Sequence, residues 1–237
     1  NCHFNGTIEG SSYYIGGIVG YTGTYCIIEN CSAGGNITST SQNCAGIVGV
    51  ASGTRISNCI NIAEVKATNY AGGIVGSANN ATTKILNCLN AGNIYGTSEY
   101  TGGIVSYIGA SQVKYCINTG TVSGGGSIIG VASGTPTLEK NYYDNQRSII
   151  GGKANADVAN AQGLSTSEIL ALTSGTFNDQ WNFTGTSYPT PKNVGCGEVG
   201  DAVNNLVKIA GATVRFAGSE IYSEIENDFT LASGFTW

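Results

Sequence analysis

Five cysteines recur at a near-constant interval in this chain. Cys2, Cys31, Cys59, Cys88 and Cys116 are separated by 29, 28, 29 and 28 residues, and Asn141 takes the same place 25 residues later. Other columns keep step with them. Asn1, Asn30, Asn58 and Asn87 precede the cysteines, and Tyr115 follows in that column. Gly6, Gly35, Ala63, Gly92 and Gly120 lie four positions after the cysteines, and Ile8, Ile37, Val65, Ile94 and Val122 six after. A glycine-led apolar pair completes the unit: Ile18-Val19, Ile47-Val48, Ile74-Val75, Ile104-Val105 and Ile128-Ile129. A register kept this long marks a repeat architecture, in which each unit stacks on its neighbours to bury a face it cannot bury alone.

Each unit holds three short apolar runs: Gly-Gly-Ile-Val-Gly, Ile-x-Asn-Cys and Gly-x-Ile. They are rich in β-branched residues, bounded by Gly, Asn, Ser or Thr, and too short for helices. One unit therefore predicts one triangular coil of a parallel β-solenoid. Coils stacked about 4.8 Å apart place identical residues above one another, which is why columns exist. The expected fold is an all-β, parallel and right-handed β-solenoid of about five coils of some 28 residues, with the hand taken from the chirality preference of parallel crossovers. Ile28 and Cys31 are three apart, so a corner must lie between them if both face inward. Asn tolerates the left-handed conformation that such a corner needs. Stacked Asn30, Asn58 and Asn87 are expected to bond along the axis as an amide ladder, and the glycine column to supply a second left-handed corner. Cys2, Cys31, Cys59, Cys88 and Cys116 are expected to form a ladder of buried thiols acting as small apolar residues.

The units resemble the GLUG repeat. The Gly-x-x-Gly signature stands as Gly-Ile-Val-Gly at Gly17 to Gly20, Gly46 to Gly49 and Gly73 to Gly76. It is degraded to Gly-Ile-Val-Ser at Gly103 to Ser106 and to Ser-Ile-Ile-Gly at Ser127 to Gly130. Ile replaces the family's Leu throughout, a swap that a core position tolerates. The likeness covers residues 1–145. It implies a non-catalytic module of a large bacterial cell-surface or secreted protein, such as an adhesin.

Composition narrows the partners. Residues 1–140 carry five Glu and five Lys or Arg, so the repeats are neutral, whereas the remainder carries ten acids and five bases. No basic patch is present to neutralise phosphates, which argues against nucleic acid. No apolar run approaches 18 residues, which argues against a transmembrane helix. The chain opens inside a repeat and has no Met, so it is expected to be a piece of a larger multidomain protein. Cys26, Cys44 and Cys196 lie outside the cysteine column, and a Cys26–Cys44 bridge is conceivable.

Residues 146–195 change character and are expected to cap the rod. Arg147 interrupts the apolar stripe. Ser165 and Glu168 form a capping box ahead of one short helix near Gly163 to Leu172, and Trp181, Phe183 and Tyr188 are expected to cover the open end. This order of features resembles the segment that follows the last GLUG unit. Residues 196–237 form a separate β-rich segment, with strands at Thr213 to Phe216 and Phe229 to Leu231. It is either the start of a truncated immunoglobulin-like domain or strands docked on the rod.

Chemistry is sparse. Acid–base work on a glycan needs paired carboxylates, and the repeat acids Glu9, Glu29, Glu64, Glu99 and Glu139 fall mostly in different columns. A polysaccharide-processing enzyme would have only Asp144, Asp157, Asp179 and Arg147 to draw on. His3 is the only histidine and cannot supply a metal's usual ligand set; no cofactor and no metal are expected. The remaining signal is aromatic. Tyr14, Tyr70 and Tyr100 share one column, and Tyr21 and Tyr107 share another. They either form a contact platform for a glycan or an extracellular protein, since Tyr offers amphipathic area at low entropy cost, or they stabilise the flank of a stalk. The links Gly76 to Thr83 and Ser106 to Gln112 are expected to carry contacts as well. Thr22, Thr24, Thr54, Thr82 and Thr83 crowd the turns, without the flat array that ice binding needs.

Overall fold

The computed structural model describes residues 1–153 and 158–194, and the backbone of an antiparallel hairpin pairing Val214–Ala217 with Glu220–Ser223. The repeats form a parallel β-solenoid of about five coils. Each coil contributes to four stacked sheets rather than three. Sheet 1 stacks Ile15–Gly16, Cys44–Ala45, Ala71–Gly72 and Thr101–Gly102. Sheet 2 stacks Val19–Thr22, Val48–Ala51, Val75–Ala78, Val105–Ile108 and Ile129–Ala132. Sheet 3 stacks Ile27–Glu29, Arg55–Ser57, Lys84–Leu86, Gln112–Lys114 and Thr137–Glu139. Sheet 4 begins with His3–Gly10 against Ser32–Ser39, in register over their whole length.

The extra sheet comes from the double glycine. The chain bends between Gly72 and Val75, splitting one apolar run into two strands. A Cβ on Gly73 would lie 2.0 Å from the Gly103 carbonyl oxygen of the next coil. Glycine is therefore required there by the close approach of two backbones. At Ser127 the degraded signature has the same explanation. Ser127 stands in this column in the fifth coil, beneath the irregular segment 148–152. Its hydroxyl is hydrogen-bonded to Ser148 Oγ at 2.6 Å and donates to the Ile150 carbonyl.

The asparagine corner forms as the sequence requires. Asn30, Asn58 and Asn87 have φ of 54°, 52° and 52°, and Tyr115 and Lys140 follow at 55° and 45°. The corner resets the parity, so that Ile56 and Cys59 both enter the core. The expected amide ladder, however, lies in another column. The buried Oδ1 atoms of Asn30, Asn58 and Asn87 have no hydrogen-bond partner. The ladder runs instead through Asn61, Asn90 and Asn118, all fully buried. Asn61 Nδ2 donates to Asn90 Oδ1 and Asn90 Nδ2 to Asn118 Oδ1, each at 2.7 Å. Each amide also closes on backbone two residues ahead, as Asn61 does with both the N–H and C=O of Ala63. That closure takes over backbone groups of the ladder and breaks sheet 4 into Ile60–Asn61 and Glu64–Ala67. In the first two coils Phe4 and Ala33 hold this column, and the strands stay whole.

The glycine column likewise differs from expectation. Gly35 alone among its described members has positive φ, 89°. A Cβ on Gly120 would lie 1.9 Å from Gly92 O, so contact between coils, not handedness, fixes that position.

The stack runs on past residue 145. Ala161–Leu164 pairs in parallel with Asn141–Asp144, and Gly152 O accepts from the N–H groups of Ile128 and Ile129. This reduced turn lies over the end of the rod. The cap aromatics lie elsewhere, which corrects their expected place. Ile169, Phe177, Trp181 and Tyr188 form one apolar cluster with Ile60, Leu89 and Ile117, and Phe183 packs against it. The last three follow the cysteines directly and so point to the outer face of sheet 4. The helix spans Thr166–Leu170, and its capping box is formed by Ser165 and Glu168. Asp144 fastens this cap. Fully buried, it accepts from Tyr188 OH, from Thr166 Oγ1 at 2.6 Å and from Gln146 N at 2.9 Å.

Candidate binding surface

The tyrosine columns sit at the corner that opens sheet 1 and on the outer face of sheet 2. Pairing places Tyr14, Asn43, Tyr70, Tyr100 and Gly125 just before the strands of sheet 1, or before the bridge that continues it. The corner is left-handed at four of these five positions: φ is 71° at Tyr14, 57° at Asn43, 54° at Tyr70 and 70° at Gly125, but not positive at Tyr100. Asn and Gly suit this conformation; a bulky Tyr there costs about 1–2 kcal/mol. Beside the corner runs the sheet 2 column Tyr21, Val50, Ser77, Tyr107 and Val131.

The expected single line of rings resolves into two groups. In the first coil Tyr14 meets Tyr21 at 5.6 Å between centroids, and Tyr13 meets Tyr14 at 6.1 Å. Tyr14 is 48% and Tyr21 56% exposed. In the third and fourth coils Tyr70, Tyr100 and Tyr107 are half-buried against one another. Tyr70 and Tyr100 are 4.6 Å apart and tilted by 39°, and Tyr107 stands edge-on to Tyr70 at 5.6 Å and 84°. Burial, followed by the neighbouring Tyr100 and Tyr107, raises the pKa of the Tyr70 hydroxyl. Asn43 and Val50 separate the two groups.

Residues 11–38, which make one full turn from the tyrosine corner through sheet 3 into sheet 4, match the family model described as the GLUG motif. The chain carries a GLUG motif within a parallel β-solenoid. No curated protein and no solved structure matches it.

The turns of the GLUG solenoid are less open than their composition suggests. In the links expected to carry contacts, Gly76 to Ala78 and Ser106 to Ile108 lie within sheet 2. Residues 79, 81, 82 and 110 are the exposed positions of these links outside the strands. Thr22, Thr54 and Thr83 are buried. Thr22 and Thr54 share a hydroxyl–hydroxyl bond of 2.7 Å, and Thr83 Oγ1 accepts from Gly53 N at 2.9 Å. These hydroxyls close the turns and do not face water.

The thiol column of the GLUG solenoid is dry from Cys31 to Cys116, while Cys2 at its end is exposed. Each described cysteine is a free thiol. Cys44 lies in sheet 1 and Cys26 just ahead of sheet 3, so the conceivable Cys26–Cys44 bridge is absent; Cys196 lies outside the described residues. Burial pushes the Cys44 thiol up to about 12. A hydrogen bond from Cys59, then burial, raises Cys31, and burial raises Cys88.

Asp144 is committed to the cap, Asp179 is exposed and bonds Gln180 Nε2 at 3.0 Å, and Asp157 lies outside the described residues. The buried Nε of Arg147 has no partner. His3 Nδ1 lies 2.7 Å from Ser32 Oγ, its register partner. Among the described residues no three His, Cys, Asp or Glu side chains group to hold a metal, and no helix is long and apolar enough to cross a membrane. In the last part, Val214–Ala217 pairs as a strand near the expected place. The second expected strand, Phe229 to Leu231, lies outside the described residues.

Proposed function

We propose that this chain is a non-catalytic binding module of a bacterial cell-surface or secreted protein, and that it holds a glycan or an extracellular protein on its tyrosine-bearing flank. The observation that carries this is the pair Tyr14 and Tyr70, held in a left-handed corner that Asn43 and Gly125 occupy without strain. Residues kept in costly backbone conformations point to use rather than to stability. The rod supplies rigidity, and the corner supplies amphipathic rings at low entropy cost. Binding of the chain to glycan and matrix-protein arrays, compared with a Tyr14→Ala, Tyr70→Ala, Tyr100→Ala variant, tests this. Specific binding lost in the folded variant is expected; binding unchanged in the variant refutes it.

A stalk is the second reading, and the close Tyr70–Tyr100 stack favours it, because rings that pack on each other along the axis also stiffen a rod. In that case the chain binds nothing on the arrays, and the triple variant melts lower.

A further inference from the structure

The basic residues of the repeats are scattered in sequence but not in space. Residues 1–140 carry Arg55, Lys66, Lys84, Lys114 and Lys140. All but Lys66 lie on sheet 3 or at the corner that closes it. Lys114 is neutralised by Glu139 at 3.0 Å, and Lys140 Nζ donates to Thr176 O at 2.9 Å. Arg55 and Lys84 have no such partners. Ile56 and Ile85 beside them enter the core, so both cations point outward, and both are exposed. They are direct register partners on successive coils, and neither forms an ion pair with a described acid. Adjacent strands lie about 4.8 Å apart, and like charges placed directly opposite destabilise a sheet. The column continues to Ile27 on one side and to Gln112 on the other, so nothing in it compensates the pair. Tyr25 and Gly53 lie two residues before the register partners Ile27 and Arg55. Tyr25 N–H donates to Gly53 O at 3.0 Å, and the two residues share a left-handed backbone, with φ of 64° and 65°. Glycine takes that conformation freely and Tyr does not. The Tyr25 side chain is 95% exposed, so packing does not offset the strain. Two stacked like charges and one strained, exposed ring on the same face point to use rather than to stability.

We propose that Arg55, Lys84 and Tyr25 bind a glycan that carries carboxylates, engaging one or two uronate sugars. This face is separate from the tyrosine columns of sheets 1 and 2, and the proposal stands without them. The Arg55 guanidinium matches a planar carboxylate with two parallel hydrogen bonds, and Lys84 adds a point charge beside it. The Tyr25 ring covers the flat C–H face of a sugar while its hydroxyl stays wet. The amount of charge selects among polyanions. The neighbouring outward column reads Glu29, Ser57, Leu86, Lys114 and Glu139. Glu29 and the Glu139–Lys114 pair therefore bracket two free cations. A densely charged polymer such as a nucleic acid, with one charge per about 1.7 Å of duplex, leaves most of its charge unmatched there and meets Glu29. A chain with one carboxylate per sugar, or fewer, presents the two charges that the face can hold. An acidic protein fits less well, because its anchors need deep, fully desolvated pockets and this sheet face is open.

The test is calorimetric titration of the full 237-residue chain with galacturonate oligomers and with hyaluronan oligomers, each beside its methyl-esterified, uncharged form. At least one acid series is expected to bind, with its ester more than about tenfold weaker, and to lose about three- to tenfold in affinity between about 50 and 300 mM salt. Arg55→Gln, Lys84→Gln and Tyr25→Gly are each expected to weaken binding about three- to tenfold. None of the three should lower the melting temperature, because each removes a repulsion or a backbone strain. Glu29→Gln is expected to strengthen binding about twofold, and Lys66→Gln, on sheet 4, to leave it unchanged. Equal binding of the esters, full binding by both Arg55→Gln and Lys84→Gln, equal binding of a hexaglutamate peptide, tighter binding of heparin or DNA, or no binding of either acid series each overturns the proposal. Uronate binding that is lost in the Tyr14→Ala, Tyr70→Ala, Tyr100→Ala variant and kept in Arg55→Gln also overturns it, and supports the tyrosine flank instead. Uronate binding that survives in the tyrosine variant and is lost in Arg55→Gln supports the sheet 3 site whatever becomes of that flank.

Discussion

Two asparagine columns each run through several coils of the rod, and a pair of substitutions separates what they do. Asn90 sits in the middle of the internal ladder. It accepts from Asn61 Nδ2 at 2.7 Å and donates to Asn118 Oδ1 at 2.7 Å and to Gly92 O at 2.9 Å. A neutral hydrogen bond contributes about 1 kcal/mol net, and a donor left buried and unpaired costs about 1–3 kcal/mol. Asn90→Ala removes three bonds and strands one N–H of Asn61, so a loss of about 4 kcal/mol is expected. Asn87 is three residues away and does a different job. Its φ is 52° and its buried Oδ1 bonds to nothing. Glycine adopts that conformation without strain, at the cost of greater freedom in the unfolded chain. Asn87→Gly is therefore expected to change stability by less than about 1 kcal/mol.

Urea unfolding followed by far-ultraviolet circular dichroism measures both. With a slope of about 2 kcal/mol per molar, the Asn90 variant should unfold about 2 M earlier and the Asn87 variant close to the parent. If Asn87→Gly shifts the midpoint as far as Asn90→Ala, the corner column is the one that bonds along the axis, and the assignment of the ladder is wrong.

Four further outcomes follow from the packing. Asp144→Ala strands Tyr188 and Thr166 and should release the cap, read as faster hydrogen exchange over residues 165–191 with the coils at Ile74 and Ile104 still protected; equal protection of the cap in the variant would contradict its role as a fastener. Gly73→Ala drives a methyl group into the Gly103 carbonyl and should cost about 3 kcal/mol, whereas Ser127→Gly at the same column should cost less, a ranking that thermal melts can reverse. Thiol mapping by mass spectrometry at pH 8 should label Cys2 and Cys26 quickly, and Cys31, Cys44, Cys59, Cys88 and Cys116 only after denaturation. Because burial raises the folded pKa of Cys44 to about 12 from an ordinary 9.0, the folded chain holds that proton after the unfolded chain has lost it. Stability should be unaffected below the ordinary thiol range and fall by about 1.4 kcal/mol per pH unit per such thiol as pH climbs toward the folded value. Cys44→Ala should flatten that fall by one proton, and an unchanged slope would remove Cys44 from the account.

The period was legible because stacking turns position in the repeat into position in space. The cysteine, glycine and apolar columns therefore announced the coil. The corner was legible because Ile56 and Cys59 cannot both enter the core without a parity change, and only a few residue types turn the chain at low cost. The split of the Gly-Gly-Ile-Val-Gly run was harder to see. It depends on how near the Gly73 and Gly103 backbones come, and one sequence line does not display an approach between coils. The place of the cap had a signal that was missed. Cys59-Ile60, Cys88-Leu89 and Cys116-Ile117 are apolar at consecutive positions, so one member must face inward and the other outward. An outward apolar stripe three coils long needs a cover, as does any strand apolar on both faces.

The misplaced ladder shows why a residue type in a column does not settle its role. Asn30, Asn58 and Asn87 outnumber their neighbours in regularity, which drew the ladder to them, and Asn61, Asn90 and Asn118 stand only three positions further on. What separates the two columns is backbone conformation. A residue in the left-handed corner lies where the chain turns, and its amide need not stack on the amide above. A residue on a flat strand pointing inward has its copy one strand spacing away, within reach of a side-chain hydrogen bond. The same distinction governs the tyrosines. Tyr21 and Tyr107 are on sheet 2 and hold a fixed line along the axis. Tyr14 and Tyr70 stand at the corner, where they shape the edge of that line. A Tyr14→Asn variant, which relieves the corner as Asn43 does, separates the ring from the conformation: it should raise the melting temperature while lowering binding, and a lower melting temperature would show that the ring stabilises the rod more than the conformation strains it.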